Sequence, residues 1–180
     1  MKIFIAGARN ITKLDDNVKS RLLSVYNNRH SVFVGDCYGV DTAVQEFFIK
    51  LKYSDVTVFA SNGKVRNNIG NWNVENIYVD NSARGFDFYK QKDIAMANSA
   101  DYGFMIWDGR SRGTLNNIVN LVNQNKKVLV YTTFFRRMFV VGNMQQLNLL
   151  IKHCPVPTQK TFEKLLTTNV EFDVLQYSFI

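Results

Sequence analysis

Apolar residues fall into two alternating rhythms along the chain: short continuous runs, and longer segments in which they recur every three or four positions. The first rhythm marks buried strands and the second amphipathic helices. Lys2 to Ala6 reads as a strand entering the turn Gly7-Ala8-Arg9. Asp15 to Tyr26 fits a helix with Val18, Leu22, Leu23 and Val25 on its apolar face. Ser31 to Val34 is a second strand ending at Gly35, and Val40 to Leu51 a helix carrying Val44, Phe47, Phe48 and Leu51. Val56 to Phe59 is a third strand, followed by an irregular stretch through Asn62, Gly63, Asn67, Asn68, Gly70 and Asn71. Phe86 to Asn98 reads as a helix, Tyr102 to Trp107 as a strand, Gly113 to Asn123 as a helix and Lys127 to Tyr131 as a strand. Such alternation predicts a parallel sheet covered on both faces, and right-handed crossovers wind it doubly. The expected fold is α/β: a Rossmann-like, doubly wound, mainly parallel sheet with helices on both faces.

The end of the chain follows a looser pattern. Thr132 to Val141, with Phe134, Phe135, Met138, Phe139, Val140 and Val141, predicts an extra strand or a hairpin. Asn143 is placed to cap a helix through Leu147, Leu149, Leu150 and Ile151, which Pro155 and Pro157 should break. Thr158 to Leu166 predicts a short helix, and Glu171 to Ile180 a terminal strand or an interface tail. Residues 1–131 are thus expected to form the core and residues 132–180 an extension packed on it or on another subunit.

Composition bounds the class. The chain has 180 residues, 46% hydrophobic and 21% charged, as in an ordinary globular domain. Its longest apolar runs fall well short of the ~20 residues of a membrane helix, and the first apolar stretch is too short for a signal peptide. A cytoplasmic protein with no membrane partner is expected. Cys37 and Cys154 are far apart without metal-ligand spacing, so they read as free thiols, and no metal or cofactor is indicated. The formal net charge of +7 suits either nucleic acid or a phosphorylated small ligand. The bases do not form a stripe; Lys126-Lys127 and Arg136-Arg137 are only pairs.

Three loops at strand ends carry the candidate chemistry: Gly7-Ala8-Arg9, Gly35-Asp36-Cys37-Tyr38-Gly39-Val40-Asp41, and Trp107 to Thr114. Ligands of doubly wound sheets bind at the carboxyl ends of the strands. In the third loop Gly109 and Gly113 let backbone approach a ligand, and the N–H groups opening the next helix favour an anion. Ser111 and Thr114 add hydroxyls, and Arg110 or Arg112 adds charge. Arg9 can bind phosphate or close its own loop. Trp107 leads Trp72, Phe86 and Tyr89 as a ring on which a base could stack, although such rings more often fill a core. Asp41 can serve chemistry or cap its helix. Asp93 reads as a helix-face residue paired with a neighbouring base, and His30 and His153 have no matching partners.

These blocks resemble the SLOG superfamily, the Rossmann-like group that includes lonely-guy-type phosphoribohydrolases and, more distantly, DprA-type proteins. The resemblance is to its small bacterial and phage branch related to YspA and YpsA. Gly7-Ala8-Arg9 resembles that branch's Gly-Ser-Arg, Gly35 to Asp41 its Gly-Gly-x-x-Gly-x-Asp, and Gly113-Thr114 the superfamily's Gly-Gly-x-Gly-Thr. The match spans roughly residues 1 to 131. It implies a nucleotide or nucleotide-derived ligand with phosphate near Gly113-Thr114, held by Gly7, Arg9, Gly35, Asp36, Gly39, Trp107, Gly109, Ser111, Arg112, Gly113 and Thr114. It also implies cleavage or transfer at an N-glycosidic bond.

The chain departs from the pattern where the lonely-guy enzymes carry Gly-Thr-x-x-Glu. Asn117 stands at the Glu position, and an amide is neither acid nor base at neutral pH. Asp108 stands in the place of the motif's first Gly. Asp108 and Asp41 are therefore the candidate replacements for the missing acid, and a non-catalytic nucleotide sensor is the alternative. A DNA-binding module ranks last for want of a basic stripe, so nucleic acid is not the expected partner. The aromatic residues Phe134, Phe135, Phe139, Phe172, Tyr177 and Phe179, together with the resemblance, predict a homo-oligomer, most simply a two-fold dimer.

Overall fold

The computed structural model describes residues 1–80, 82 and 85–177, with backbone alone at 86–87 and 167–177. Seven strands form one sheet: β1 (Lys2–Gly7), β2 (Ser31–Gly35), β3 (Val56–Ser61), β4 (Asn73–Ile77), β5 (Tyr102–Trp107), β6 (Val128–Thr132) and β7 (Arg137–Val141). Their order is β4-β3-β2-β1-β5-β6-β7, parallel except for β7, which runs antiparallel to β6. Helices α1 (Asp16–Asn27) and α2 (Val40–Lys50) cover one face. Helices α3 (Gly85–Ser99), α4 (Arg112–Asn123), α5 (Met144–Ile151) and α6 (Val156–Tyr177) cover the other. This is the doubly wound sheet that the alternating pattern predicts.

The period of two within each strand assigns side chains to two cores. Ile3, Ile5, Val32, Val34, Phe104 and Ile106 meet Val18, Leu22, Val44 and Phe48 of α1 and α2. Phe4, Ala6, Met105, Trp107, Val128 and Val130 meet Met96 of α3 and Leu115, Ile118 and Val122 of α4. The order reverses between β1 and β5: crossovers run outward from β1 through β2, β3 and β4, then return to β5 on its other side. Among the described residues, side-chain caps open three helices. Asp15 accepts from Asn17 N at α1, Ser111 from Thr114 N at α4, and Asn143 from Gln146 N at α5.

Two expectations need correction and two are met. Strand β4 lies within a region that the apolar pattern leaves without an element. It is an edge strand, almost wholly exposed, so no apolar alternation marks it; its backbone pairs with β3 from Asn73 to Ile77. Residues 171–177 are not a strand: α6 runs on through them, while 178–180 lie outside the described residues. The side chains of Phe86, Phe172, Tyr177 and Phe179, invoked for stacking or assembly, also lie outside the described residues. The helix through Leu147 to Ile151 does stop before Pro155, and Pro157 falls in the first turn of the next helix, α6, where its missing N–H has no intrahelical acceptor to lose. The hairpin expected in 132–141 is formed by β6 and β7. Among the described residues, no helix is long and apolar enough to cross a membrane.

Glycines differ in what they do here. Gly39, at φ +85°, would place a Cβ 2.4–2.5 Å from the backbone of Arg9, whereas a Cβ on Gly113 would meet nothing within 4 Å. Gly39→Ala is expected to lower the unfolding free energy by at least ~2 kcal/mol. Gly113→Ala, within α4 and unhindered, should instead raise it by ~0.4–1 kcal/mol. Urea denaturation of both variants checks the contrast; equal midpoints would contradict it.

Candidate functional site

The carboxyl ends of β1 and β5 flank the point where the strand order reverses, the place where open α/β sheets bind ligands. A cleft of about 630 Å³ opens there. It is walled by Gly7, Ala8, Arg9 and Asn10 after β1, Cys37 and Asp41 around the start of α2, and Asp108 and Ser111 to Thr114 after β5. Gly85, Tyr89, Lys90, Lys92, Asp93 and Met96 of α3 close the remaining side. All three loops singled out in the sequence therefore contribute to one cavity.

Backbone contacts hold these loops together. Ala8 N donates to Ile106 O at 3.1 Å, and Val40 N to Ala8 O at 3.3 Å. A Cβ on Gly7 would lie 2.2 Å from Ile106 O and 2.6 Å from Val40 Cγ2. Asn10 Nδ2 donates to Asp108 Oδ2 at 3.0 Å, tying the first loop to the third. Asp108 Oδ1 accepts from Arg110 N at 2.9 Å and Ser111 N at 2.7 Å. Both Asp108 oxygens thus accept bonds that shape the loop before α4.

The start of α4 forms one end of the cleft. Ser111 caps the helix, and its Oγ also accepts from Thr114 Oγ1 at 3.0 Å. By position, the Gly113 N–H has no intrahelical acceptor. One turn further on, Asn117 also lines the cleft; it is 4% exposed, and its Oδ1 has no hydrogen-bond partner among the described residues. A buried acceptor without a partner is costly unless something donates to it.

Charge lies at the opposite wall. Lys92 is 3% exposed, and its Nζ donates to Asp93 Oδ1 at 2.8 Å. Burial works against the Lys92 charge, but the Asp93 and Asp41 carboxylates outweigh it and raise its pKa. Asp41 is the reverse case. Its burial pushes the carboxyl up to about 6, which Lys92 and the hydrogen bond from Cys37 N counteract only in part. Lys92 forms its ion pair with Asp93 and reaches Asp41 through its field. Burial and the Asp41 charge also raise the Cys37 thiol, which sits 3.0 Å from an Arg66 nitrogen.

Several expected ligand residues lie elsewhere. Trp107 is fully buried, with Nε1 donating to Ser111 O at 3.1 Å, so its ring is core and offers no stacking face. Asp36 is 1% exposed and paired with Arg66, whose backbone N also donates to it at 3.1 Å. Burial alone would raise the Asp36 carboxyl, but Arg66 and Lys92 hold it below the usual carboxylate range. It anchors the segment after β3 and does not line the cleft. Gly35 backs Asp41: a Cβ there would meet Asp41 Oδ2 at 2.3 Å and Lys92 Nζ at 2.9 Å. Gly109 lies against Phe134, and its carbonyl accepts from Thr158 Oγ1 at 2.7 Å. Trp72 donates to Tyr53 O, away from the cleft.

Among the described side chains of the aromatic candidates, Tyr89 is the one placed at the cleft. Arg9 and Arg66 lie over its ring at 5.5 and 4.7 Å. Lys92 escaped the sequence reading. Its signal was spacing: Gly85, Tyr89, Lys92, Asp93 and Met96 share one face of α3, and that face ends in the core.

No known family's sequence profile matches the chain, and no curated protein sequence matches it. Among solved structures, the chain superposes on DNA processing protein A from Helicobacter pylori, a structure described as giving insight into that protein's single-stranded DNA binding mode. The TM-score is 0.58 at 13% identity, over 93% of this chain and 81% of that one. The likeness is one of fold. The expectation that set nucleic acid aside does not stand: a protein sharing this fold binds single-stranded DNA. The argument from a missing stripe fails as well, because the fold brings Arg9, Lys90 and Arg112 from separate elements to one cleft.

The buried Asp41 gives stability a pH dependence. Its folded pKa of about 6 exceeds the unfolded value of 3.8, so the native state binds the extra proton between them. Stability is therefore expected to fall as pH rises from 3.8 to about 6, by up to ~3 kcal/mol from this group. Asp36 acts in the opposite sense, and only as pH falls below 3.8. Urea denaturation at several pH values checks this. The loss between pH 4 and 6 should disappear in Asp41→Asn, and its persistence there would exclude Asp41 as the source.

Proposed function

We propose that the chain binds a phosphorylated sugar of the nucleotide class in the β1–β5 cleft. The observation carrying this reading is the pairing of an unobstructed helix start at Gly113 with the unpartnered Asn117 Oδ1 one turn deeper. The helix start takes an acceptor-rich anion. Asn117 Oδ1 requires a donor, which a phosphate dianion lacks and a sugar hydroxyl supplies. Arg9, Lys90 and Arg112 supply cationic side chains around the cavity. The volume suits a small molecule. The SLOG resemblance of the three loops supports the same ligand class. The expected result is that a mononucleotide binds, while Gly113→Val weakens it at least about tenfold with an unchanged melting temperature. Calorimetry with a panel of mononucleotides and inorganic phosphate tests this. Equal affinity in the variant would remove the assignment.

A second reading adds chemistry at the N-glycosidic bond. It is favoured by Asp41, a carboxyl in the cleft wall held up to about 6 beside a buried lysine, since such perturbed groups cluster at functional sites. Asp108 is the weaker candidate because both its oxygens accept loop hydrogen bonds. On this reading Asp41→Asn lowers the rate of base release by roughly 100-fold or more while nucleotide binding persists. Chromatographic assay of released base checks it; a rate unchanged in Asp41→Asn would exclude that role. Single-stranded DNA is the polymeric form of the same ligand chemistry, supported by the fold shared with DNA processing protein A. Fluorescence anisotropy with a labelled oligothymidylate distinguishes it from a mononucleotide.

A further inference from the structure

A second cavity of about 490 Å³ adjoins the cleft, and the two share Asn10 and Asp108 as a common wall. The side chains at this shared wall are joined by the Asn10–Asp108 hydrogen bond. The far side of this second cavity is formed by Arg110, Phe134, His153 and Pro155. Phe134 is 40% exposed at the turn between β6 and β7. Its position is built rather than incidental. Gly109 at φ +72° leaves room for the ring edge, which would meet a Cβ there at 2.8 Å. Phe135 supports Phe134 with ring centroids 4.6 Å apart, and is itself braced by Phe139 at 6.0 Å and His153 at 5.7 Å.

Resting on the reading of the first cleft as a nucleotide phosphate site, we infer that this second cavity takes a second base, stacked on Phe134, of a ligand containing two linked nucleotides. An exposed ring packed against a second ring is the form of a stacking platform, and any base has a face to offer it. Arg110 adds a planar cation beside it. Asp108 in the shared wall disfavours a second free phosphate there, yet can accept from the N–H groups on a base edge. The two sites are as close as neighbouring nucleotides require, because Asp108 bonds Ser111 N at the start of α4 and also lines the second cavity. Such a ligand can be a free dinucleotide or two residues of a single strand.

Calorimetry with thymidine 5′-monophosphate and 5′-phosphorylated dithymidylate tests the inference. One stacked base should make the dinucleotide bind at least about fivefold more tightly. In Phe134→Ala that advantage should shrink to within about twofold while affinity for the monophosphate is unchanged, and Phe134→Trp should retain it. A thermal melt confirms that each variant is folded. No advantage in the unmodified protein, or one that survives Phe134→Ala, overturns the second subsite and leaves the first reading intact. A Phe134-dependent dinucleotide complex with no monophosphate binding upholds the subsite and rejects the one-nucleotide reading. Absence of binding by either ligand rejects both. A longer oligothymidylate in the same titration separates the sources: further tightening marks a strand, and a plateau at two residues a free dinucleotide.

Discussion

The cleft depends on how closely three backbone segments approach one another beyond the ends of β1 and β5. Adjacent strands lie ~4.8 Å apart, and loops leaving neighbouring strands normally diverge. Here they are drawn inward. Gly7 leaves no room for a side chain between Ile106 O and Val40, and Gly39 brings the start of α2 onto the backbone of Arg9. With those approaches fixed, the amides of Ala8 and Val40 find their acceptors and Asn10 reaches Asp108. The cavity is what remains between segments whose separation is set by absent Cβ atoms.

Rigidity at one wall is matched by electrostatic tension at the other. Burying an ammonium group is costly without a close counter-charge, and Asp93 supplies it for Lys92. A second carboxylate, Asp41, is then near enough to feel the lysine but is not its ion-pair partner, which leaves burial dominant. The result is one ionised pair beside one carboxyl whose protonation is finely balanced. The neighbouring Asp36 shows the contrast. It too is buried, yet direct bonds from Arg66 keep it ionised and make it an anchor for the chain after β3.

Most of the sheet was legible because its central strands are buried on both faces, and such strands announce themselves as apolar runs. Strand β4 was not, since Asn73, Glu75 and Asn76 owe their extended form to pairing with β3 rather than to burial. The same distinction governs the site. Glycine-rich loops marked the cleft because backbone approach is written in residue type. Trp107 misled because a ring at the end of an apolar run can be core or stacking face, and only the packing of α4 over β5 shows that this one is covered. Lys92 was missed because a lysine in a helix ordinarily faces water, and only the packing of α3 against the sheet shows that this one does not. Asn117 was seen as a lost acid; its buried, unpartnered oxygen became apparent only with its neighbours in place.

The bond from Thr158 Oγ1 to Gly109 O has a temporal consequence. It joins the turn before α4 to a helix 49 residues further along the chain. During synthesis, strands β1 to β6 leave the ribosome before Thr158 does, since the chain emerges from its N-terminus. The turn at Gly109 must wait for residue 158 before its carbonyl finds this donor. The clasp on this turn therefore comes from α6, the last of the described elements to be synthesised.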